Sequence, residues 1–279
     1  MAIEQGHQCS KPSRRKFGRL FYASISPVNH NTIDRISPTR RPAEKPVGHQ
    51  SWRDLFFLHW SVPVDLLRAA VPAPLVLDLY EDQAWLGIVP FKMRDVRPAW
   101  SPVVPLLSHF LETNVRTYVH YNGEPGVWFF SLDANATIAT LIARYRWNLN
   151  YCRGNLSLKE QGHTFHWSGQ RLWPSQSDVP AHYDIQTETD PAFTPCRTAE
   201  PDTFEHFLVE RYLLFTRTKN GKLLRGQVHH DPYPFQTAQV AKYTGTLETQ
   251  LGLPELDPRP QHALYSRGVD VDMFALREV

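Results

Sequence analysis

Short apolar runs separated by turn residues dominate the chain from about residue 50 onwards. The first run, Leu55–Val62, has the length of a buried strand, and helical spacing follows over Val64–Ala70. Pro63 suits the first turn of that helix, and Pro72 ends it because proline lacks the amide proton and fixes φ. The pattern therefore predicts a strand followed by one short helix.

Two pairs of apolar runs predict antiparallel hairpins, because each pair is joined by a short turn. The first pair flanks Glu81-Asp82, and the second flanks Asn122-Gly123, a dipeptide that favours tight hairpin turns. The predicted strands are Leu75–Tyr80, Gln83–Phe91, Phe110–Tyr121 and Val127–Leu132.

The second half of the chain mixes helical spacing with further strand signals. Helices are predicted over Ala136–Trp147 and Asp202–Phe215, a hairpin turn at Asn220-Gly221, and a Pro-, Ser- and Asp-rich loop over Pro174–Pro201. The remaining predicted strands are Asn150–Lys159, His163–Arg171 and Val269–Phe274. Many hairpins with few helices predict an α+β, mostly antiparallel β fold whose sheet folds on itself, and not a doubly wound fold.

Residues 1–48 lack hydrophobic periodicity and are basic. They hold 9 Lys/Arg against 3 Asp/Glu, which leaves 21 against 25 for the rest of the chain. Such a composition cannot bury enough apolar surface to offset its ordering entropy, so a disordered tail that is dispensable for folding is expected. Residues 49–279 are predicted to form a single domain. Because that domain has no excess positive charge, no nucleic-acid partner is expected.

The cysteines and the apolar segments favour a reduced, cytoplasmic protein. Cys9, Cys152 and Cys196 are odd in number and widely spaced, which is atypical of a disulfide framework or a zinc cluster. No run approaches the roughly eighteen apolar residues of a membrane-spanning helix, so no membrane association is expected. Ser13–Phe17 resembles a twin-arginine export motif, but the apolar stretch after it, Leu20–Ile25, is too short for a signal.

Four segments, in their order and spacing, resemble the uncharacterised YqjF-like family over residues 50–279. The segments are Val89–Arg94, Glu112–Val119, Gly126–Ala134 and Glu210–Pro234. That family resembles acetoacetate decarboxylase in fold. The resemblance implies a β-barrel or cone with a few peripheral helices and a ligand cavity at its centre.

The resemblance also locates the position of the decarboxylase lysine. In the decarboxylases, a Gly-Arg-Glu stretch leads to Gly-Phe-Pro-Lys, whose lysine forms the Schiff base. Residues Ala143–Tyr151 align with this stretch without a gap, so that Arg144 matches the arginine and Tyr151 takes the place of the lysine. A Schiff base needs a primary amine, which a phenol cannot supply. Decarboxylation through an imine is therefore not expected.

One predicted strand carries a chemically rich face, because side chains alternate between the two faces of a strand. This face holds Glu112, Asn114, Arg116, Tyr118 and His120. If it points outward it is an ordinary solvated surface. If it points inward, as the family fold implies, Arg116 can bind a carboxylate ligand bidentately while Glu112 and Tyr118 orient it.

Histidines offer weaker candidates for acid–base chemistry. His229 and His230 are adjacent, so in a strand their rings point to opposite faces and only one can serve a given site. His229 shares a face with Asp231 and is the catalytic candidate, while His59 in the first strand is a candidate for ligand contact. A structural, hydrogen-bonded role is the alternative for each.

No cofactor or metal is expected, since the sequence contains no Gly-rich phosphate loop, no G-x-S-x-G elbow and no H-E-x-x-H motif. Arg211 on the last predicted helix is expected to be structural, pairing with Glu210 or Glu205.

Three hypotheses for function follow. The first is an enzyme that acts on a carboxylate or keto compound by acid–base chemistry, with Tyr151, Glu112 and His229 as catalytic candidates. Its expected ligand contacts are Arg116, Asn114, Tyr118, Arg144 and His59. The second is a non-catalytic ligand-binding or stress-response protein with the same cavity, and the third is a structural protein whose aromatic side chains fill the cavity. The oligomeric state is left open, a homo-oligomer included.

Overall fold

The computed structural model describes residues 33–105, 107–174, 180–192 and 197–279. Three α-helices and fourteen strands occur in this part of the chain. The helices are α1 (Val64–Ala70), α2 (Thr137–Trp147) and α3 (Phe204–Val209). The strands are β1 (Gly48–Val62), β2 (Val76–Leu77), β3 (Ala84–Pro98), β4 (Phe110–Tyr121), β5 (Glu124–Ala134), β6 (Tyr151–Gln161), β7 (Thr164–Trp173), β8 (His182–Glu188), β9 (Leu213–Arg217), β10 (Leu223–His229), β11 (Phe235–Thr237), β12 (Gln239–Gly245), β13 (His262–Met273) and β14 (Arg277–Glu278).

Seven of these strands form a closed circuit of backbone pairing. Around the circuit they run β1, β3, β4, β5, β9, β10 and β13, and β13 pairs with β1 again. The pairing of β5 with β9 is parallel and the other six are antiparallel. Two of the pairings are short: β5 meets β9 at Val127 and Trp128, and β10 meets β13 at Val228 and His229.

The other strands widen the sheet on the outside of this circuit. β6, β7, β8 and β12 follow one another from β5, and Phe165 on β7 packs against Phe56 on β1 with ring centroids 5.0 Å apart. Leu55 and Phe57 point the opposite way, into the circuit. β1 is therefore buried on both faces, which explains its unbroken apolar sequence.

The α+β, mostly antiparallel prediction is confirmed, and so is the hairpin at Asn122-Gly123. Both of these turn residues have positive φ, 50° and 84°, as a tight hairpin turn requires. Three segment predictions are wrong. The hairpin predicted around Glu81-Asp82 is limited to one bridge between Tyr80 and Gln83, because β2 pairs with β4 instead. Pro174–Pro201 contains β8 in place of a continuous loop, and the helix predicted over Asp202–Phe215 ends at Val209 and gives way to β9.

The folded body begins earlier than the sequence indicates. Segment 33–47 was assigned to the tail but lies against the sheet, because its polar side chains and backbone groups find specific partners there. The contacts are Asp34 N to Gly123 O (3.2 Å), Gln227 Nε2 to Pro38 O (3.0 Å), Val47 N to Met273 O (2.8 Å), and the ion pairs Arg35–Asp78, Arg41–Asp272 and Glu44–Arg277. The prediction of disorder for residues 1–32 lies outside the described residues. In the described part of the chain, no helix has the length and apolar character needed to span a membrane.

Candidate ligand site inside the barrel

The interior of the seven-strand circuit holds a cavity of about 970 Å³. Each of the seven strands contributes lining residues, and α2 and the segment between β3 and β4 line its mouth. Most of the lining is apolar or aromatic. β4 contributes three polar side chains to the lining. Further polar lining residues on other elements are Gln50, Arg97, Ser101, Ser108, Arg146, Tyr151, Arg211, Tyr212, Gln227 and Tyr233.

The polar face of β4 points inward, as the family resemblance implied. Glu112, Asn114 and Arg116 are buried and line the cavity. The opposite face of the strand, with Thr113 and Val115, is buried against the wider part of the sheet. Asn114 Oδ1 has no hydrogen-bond partner among the described residues, so it is free to accept a bond from a ligand.

Arg116 is buried beside the cavity without a carboxylate to neutralise it. Its Nη2 donates to the carbonyl oxygen of Leu208 at 3.1 Å, and its guanidinium lies 5.4 Å from the centroid of the Phe57 ring. The Nε group has no partner, and no carboxylate of the described residues forms an ion pair with Arg116. A buried guanidinium stays charged, so an unpaired one costs free energy unless an anion occupies the cavity.

A second arginine, Arg211, lines the same part of the cavity and was not identified as a site residue from the sequence. It was expected to pair with Glu210 or Glu205. Its Nη1 instead donates to Asp78 Oδ2 at 2.7 Å, and its Nε donates to Phe207 O at 2.6 Å. Asp78 also pairs with Arg35. Three guanidinium groups and one carboxylate therefore give this end of the cavity a formal excess of positive charge.

Glu112 and Tyr151 form a hydrogen-bonded pair on the cavity wall. The Tyr151 hydroxyl donates to Glu112 Oε2 at 2.8 Å, and both residues are buried. Burial raises the pKa of Glu112 to about 8, and the negative charge of Asp133 adds to this while the Tyr151 hydrogen bond opposes it. Burial, together with the adjacent Glu112, raises the pKa of Tyr151 well above its usual value. At neutral pH Glu112 is therefore mostly protonated and can act as an acid.

Tyr118 and His59 lie one layer behind the cavity. The Tyr118 hydroxyl donates to Leu208 O at 2.8 Å and lies 2.6 Å from His59 Nε2. Because the single hydroxyl proton is directed to Leu208, His59 donates from Nε2. Burial lowers the pKa of His59, with Arg116 as a further cause. Neither residue lines the cavity, and the Tyr118 hydroxyl shares the Leu208 carbonyl oxygen with Arg116.

Two other candidates lie outside the cavity. Arg144 donates from Nη1 to the carbonyl oxygen of Tyr151 and lies 4.9 Å from the centroid of the Trp173 ring, so it supports Tyr151 from outside. His229 lies in a surface groove with Asp231 and Asp272. The sequence shows that His229 and His230 face opposite ways, but it does not show which face is internal.

The cavity lining can also be examined for a lysine that could form an imine and for side chains that could hold a metal ion. Among the described residues that line the cavity, none is a lysine. Lys92, on β3, pairs with Asp54 and Glu160. Burial tends to lower the pKa of the Lys92 ammonium group, but the hydrogen bonds to Asp54 and Glu160 raise it. Imine formation requires a lowered pKa. Within the described ranges, no group of three or more His, Cys, Asp and Glu side chains is arranged to hold a metal ion.

Comparison with known proteins agrees with this architecture. Uncharacterized protein YqjF of Bacillus subtilis (strain 168) is 37% identical over 234 residues, which cover 83% of this chain and 92% of that protein. The solved structure of the enduracididine biosynthesis enzyme MppR complexed with pyruvate has a TM-score of 0.57 at 11% identity, covering 86% of this chain and 93% of its own. Acetoacetate decarboxylase from Legionella pneumophila has a TM-score of 0.56 at 13% identity, covering 93% and 98%.

At these identities the two solved structures show the fold, which is acetoacetate decarboxylase-like. The family itself is shown by sequence, since the profile of DUF2071, described as an uncharacterized conserved protein, matches residues 49–270. The YqjF-like resemblance is confirmed, and the chain belongs to the DUF2071 family.

Proposed function

We propose that the barrel cavity binds an organic carboxylate and that Arg116 anchors it. The observation that carries this proposal is a buried guanidinium facing a cavity with no carboxylate partner among the described residues. The two oxygens of a carboxylate match the two parallel N–H groups of a guanidinium. Asn114 offers a further polar contact beside Arg116 on the same strand face.

The charge around Arg116 supports the same ligand class. Arg211 lines the cavity near Arg116, and its partner Asp78 is shared with Arg35. An anion bound here offsets the excess positive charge. MppR, which shares the fold, was crystallised with the keto acid pyruvate.

We further propose acid–base chemistry by the Glu112–Tyr151 pair. A carboxyl group with a pKa of about 8 can both donate and accept a proton near neutral pH. Tyr151 holds the Glu112 carboxyl group in place through its hydroxyl. The reaction class is proton transfer to or from carbon next to the carbonyl of a bound keto acid.

The Arg116→Met variant tests the anchor. Pyruvate or butyrate should raise the unfolding temperature of the wild-type protein. At a ligand concentration of 100 times Kd, the free energy of unfolding should increase by about 2.7 kcal/mol. The methionine keeps most of the side chain's packing, so the variant should stay folded and lose this response. An unchanged response would remove Arg116 from the site.

The Glu112→Gln variant tests the chemistry. Wild-type protein in D2O should exchange the C3 protons of 2-oxobutyrate for deuterium, measured by proton NMR, with a rate that rises through about pH 8. The variant should bind 2-oxobutyrate and not exchange it. Binding without exchange by the wild type would support the non-catalytic ligand-binding protein instead.

Borohydride reduction separates this mechanism from an imine mechanism. Reducing the wild type with borohydride in the presence of acetoacetate should leave no covalent adduct by mass spectrometry, because the described cavity lining lacks a lysine. An adduct on a lysine that reaches the cavity would contradict the proposed role of Tyr151.

A further inference from the structure

The cavity is large for a small keto acid. Its volume of about 970 Å³ lies at the upper end of the roughly 300–1,000 Å³ found for pockets that enclose drug-sized ligands. Most of the remaining lining is aromatic or aliphatic, with Phe91, Phe110 and Leu132 among its members, and polar residues such as Arg97 and Arg146 are in the minority. A ligand that made only the Arg116 contact would leave most of this apolar wall in contact with water.

β4 sets the spacing between the polar groups along the cavity. Arg116 and Glu112 are four residues apart on one face, a separation of roughly 13 Å at 3.3 Å per residue. Phe110 lies next on the same face, where the segment between β3 and β4 joins the mouth. This backbone separation and the volume of the cavity leave room for a ligand longer than a three- or four-carbon keto acid.

The apolar lining continues to an exposed rim. Val104 and Leu107 precede β4, and Ile138 and Ile142 lie on α2. All four line the cavity, yet they are exposed, Ile142 by 58% and Ile138 by 52%. Exposed apolar side chains that continue a buried apolar wall are typical of a ligand-binding entrance.

We infer that the ligand is an amphiphilic monocarboxylate, with its carboxylate on Arg116 and an extended apolar body that passes Glu112 and Tyr151 toward the rim. This inference rests on the proposed function and adds the length and polarity of the ligand. Three observations carry it: Arg116 is a buried arginine of the lining without a carboxylate partner among the described residues, β4 spaces Arg116 and Glu112 along the cavity, and the lining toward the rim is mostly apolar.

A chain-length series tests the inference by calorimetric titration with butyrate, hexanoate and octanoate, each below its aggregation limit. The affinity should increase by up to about fourfold for each added CH2, the factor that corresponds to ~0.8 kcal/mol per buried CH2. Octanoate should bind more tightly than 1-octanol to the wild type, and this preference should disappear in Arg116→Met.

Two substitutions on α2 form a matched pair for the rim. Ile142 lines the cavity, whereas Leu141 is exposed on the same helix and does not line it. Ile142→Ser should weaken octanoate binding several-fold and butyrate binding much less, and Leu141→Ser should change neither. If both substitutions weakened octanoate binding equally, octanoate would be adsorbing to the surface of the helix, and the inference would be overturned.

The outcomes separate the inference from the proposed function. Equal affinities for the three acids, still lost in Arg116→Met, overturn the inference and leave the carboxylate anchor standing. Equal affinity for octanoate and 1-octanol, unaffected by Arg116→Met, or no binding of any acid, overturns the proposed function. Affinities independent of chain length, with Ile142→Ser changing the oligomeric state by light scattering, would assign the rim to a second copy of the chain and also overturn the inference.

Discussion

Two buried arginines in this protein differ in what surrounds them. Arg171 on β7 donates from Nε and Nη2 to the two carboxylate oxygens of Asp133, each at 2.7 Å, and both side chains are almost fully buried. Arg116 on β4 is also buried but donates to one carbonyl oxygen and faces the cavity. The Asp133 carboxylate neutralises the Arg171 guanidinium, whereas the Arg116 guanidinium has no carboxylate partner among the described residues. Burial of a charge therefore marks a candidate site here only when its counterion is missing and open space adjoins it.

The largest expected effect comes from the same substitution at the two arginines. Arg171→Met leaves the Asp133 carboxylate buried without a counterion and should lower the free energy of unfolding by about 3–5 kcal/mol. Arg116→Met leaves no carboxylate unpaired and should lower it much less. Urea unfolding of both variants measures the difference. Equal losses would show that Arg116 is part of a structural ion pair.

Glu112 is the acidic counterpart of Arg116, a buried carboxyl group without a guanidinium partner. Its pKa is about 8 in the folded protein against an ordinary value of 4.5. Between these values the folded state holds a proton that the unfolded chain has lost, so this group's contribution to stability is complete below pH 4.5 and decreases up to about pH 8.

Glu112→Gln should remove that decrease. The difference in free energy of unfolding between wild type and variant should change by up to about 1.4 kcal/mol per pH unit within this range. Glu188→Gln, which makes the same substitution at an exposed position on β8, provides the control. A parallel pH dependence for wild type and Glu112→Gln would mean that Glu112 is ionised in the folded state.

Arg211 and Arg35 share one carboxylate, Asp78, and so lie between the fully paired Arg171 and the unpaired Arg116. A chain that starts at Val47 lacks Arg35 and the other contacts of segment 33–47, and should be about 2 kcal/mol less stable than one that starts at Ile33, as expected for a lost hydrogen bond between charged groups. Thermal unfolding of the two truncated chains checks this. Identical midpoints would instead support the tail boundary at residue 48.

Several elements could be predicted from sequence because their signals are local. The hairpin at Asn122-Gly123 depends on turn residues, and the inward face of β4 depends on strand alternation. β8 also carries an alternation, with Tyr183, Ile185 and Thr187 buried, but the Pro- and Ser-rich residues around it concealed the pattern. The apolar residues from Leu213 onwards fit a helix or a strand equally well, and pairing with β5 and β10 decided for the strand.

The site was predictable where one strand supplies it and not where distant segments meet. Glu112, Asn114 and Arg116 follow from a single alternation. The partner of Arg211 is Asp78, 133 residues away, and no local pattern could have identified it. Arg144 was assigned to the ligand by alignment, but its side chain turns to the backbone of Tyr151.

The number of strands in the closed circuit has a consequence of parity. Each antiparallel neighbour reverses the strand direction, and a full turn around the ring must restore it, so the number of antiparallel pairings has to be even. With seven strands, one pairing must be parallel, and in this protein it joins β5 to β9.

Parallel neighbours cannot be joined by a hairpin and need a long crossover. The chain therefore leaves the ring after β5 and returns only at β9. That excursion carries α2, Tyr151 and Arg211 to the cavity. A ring of six or eight strands could close with antiparallel pairings alone, whereas a ring of seven requires a crossover. In this protein nearly eighty residues lie between β5 and β9, and they include Tyr151, the partner of Glu112.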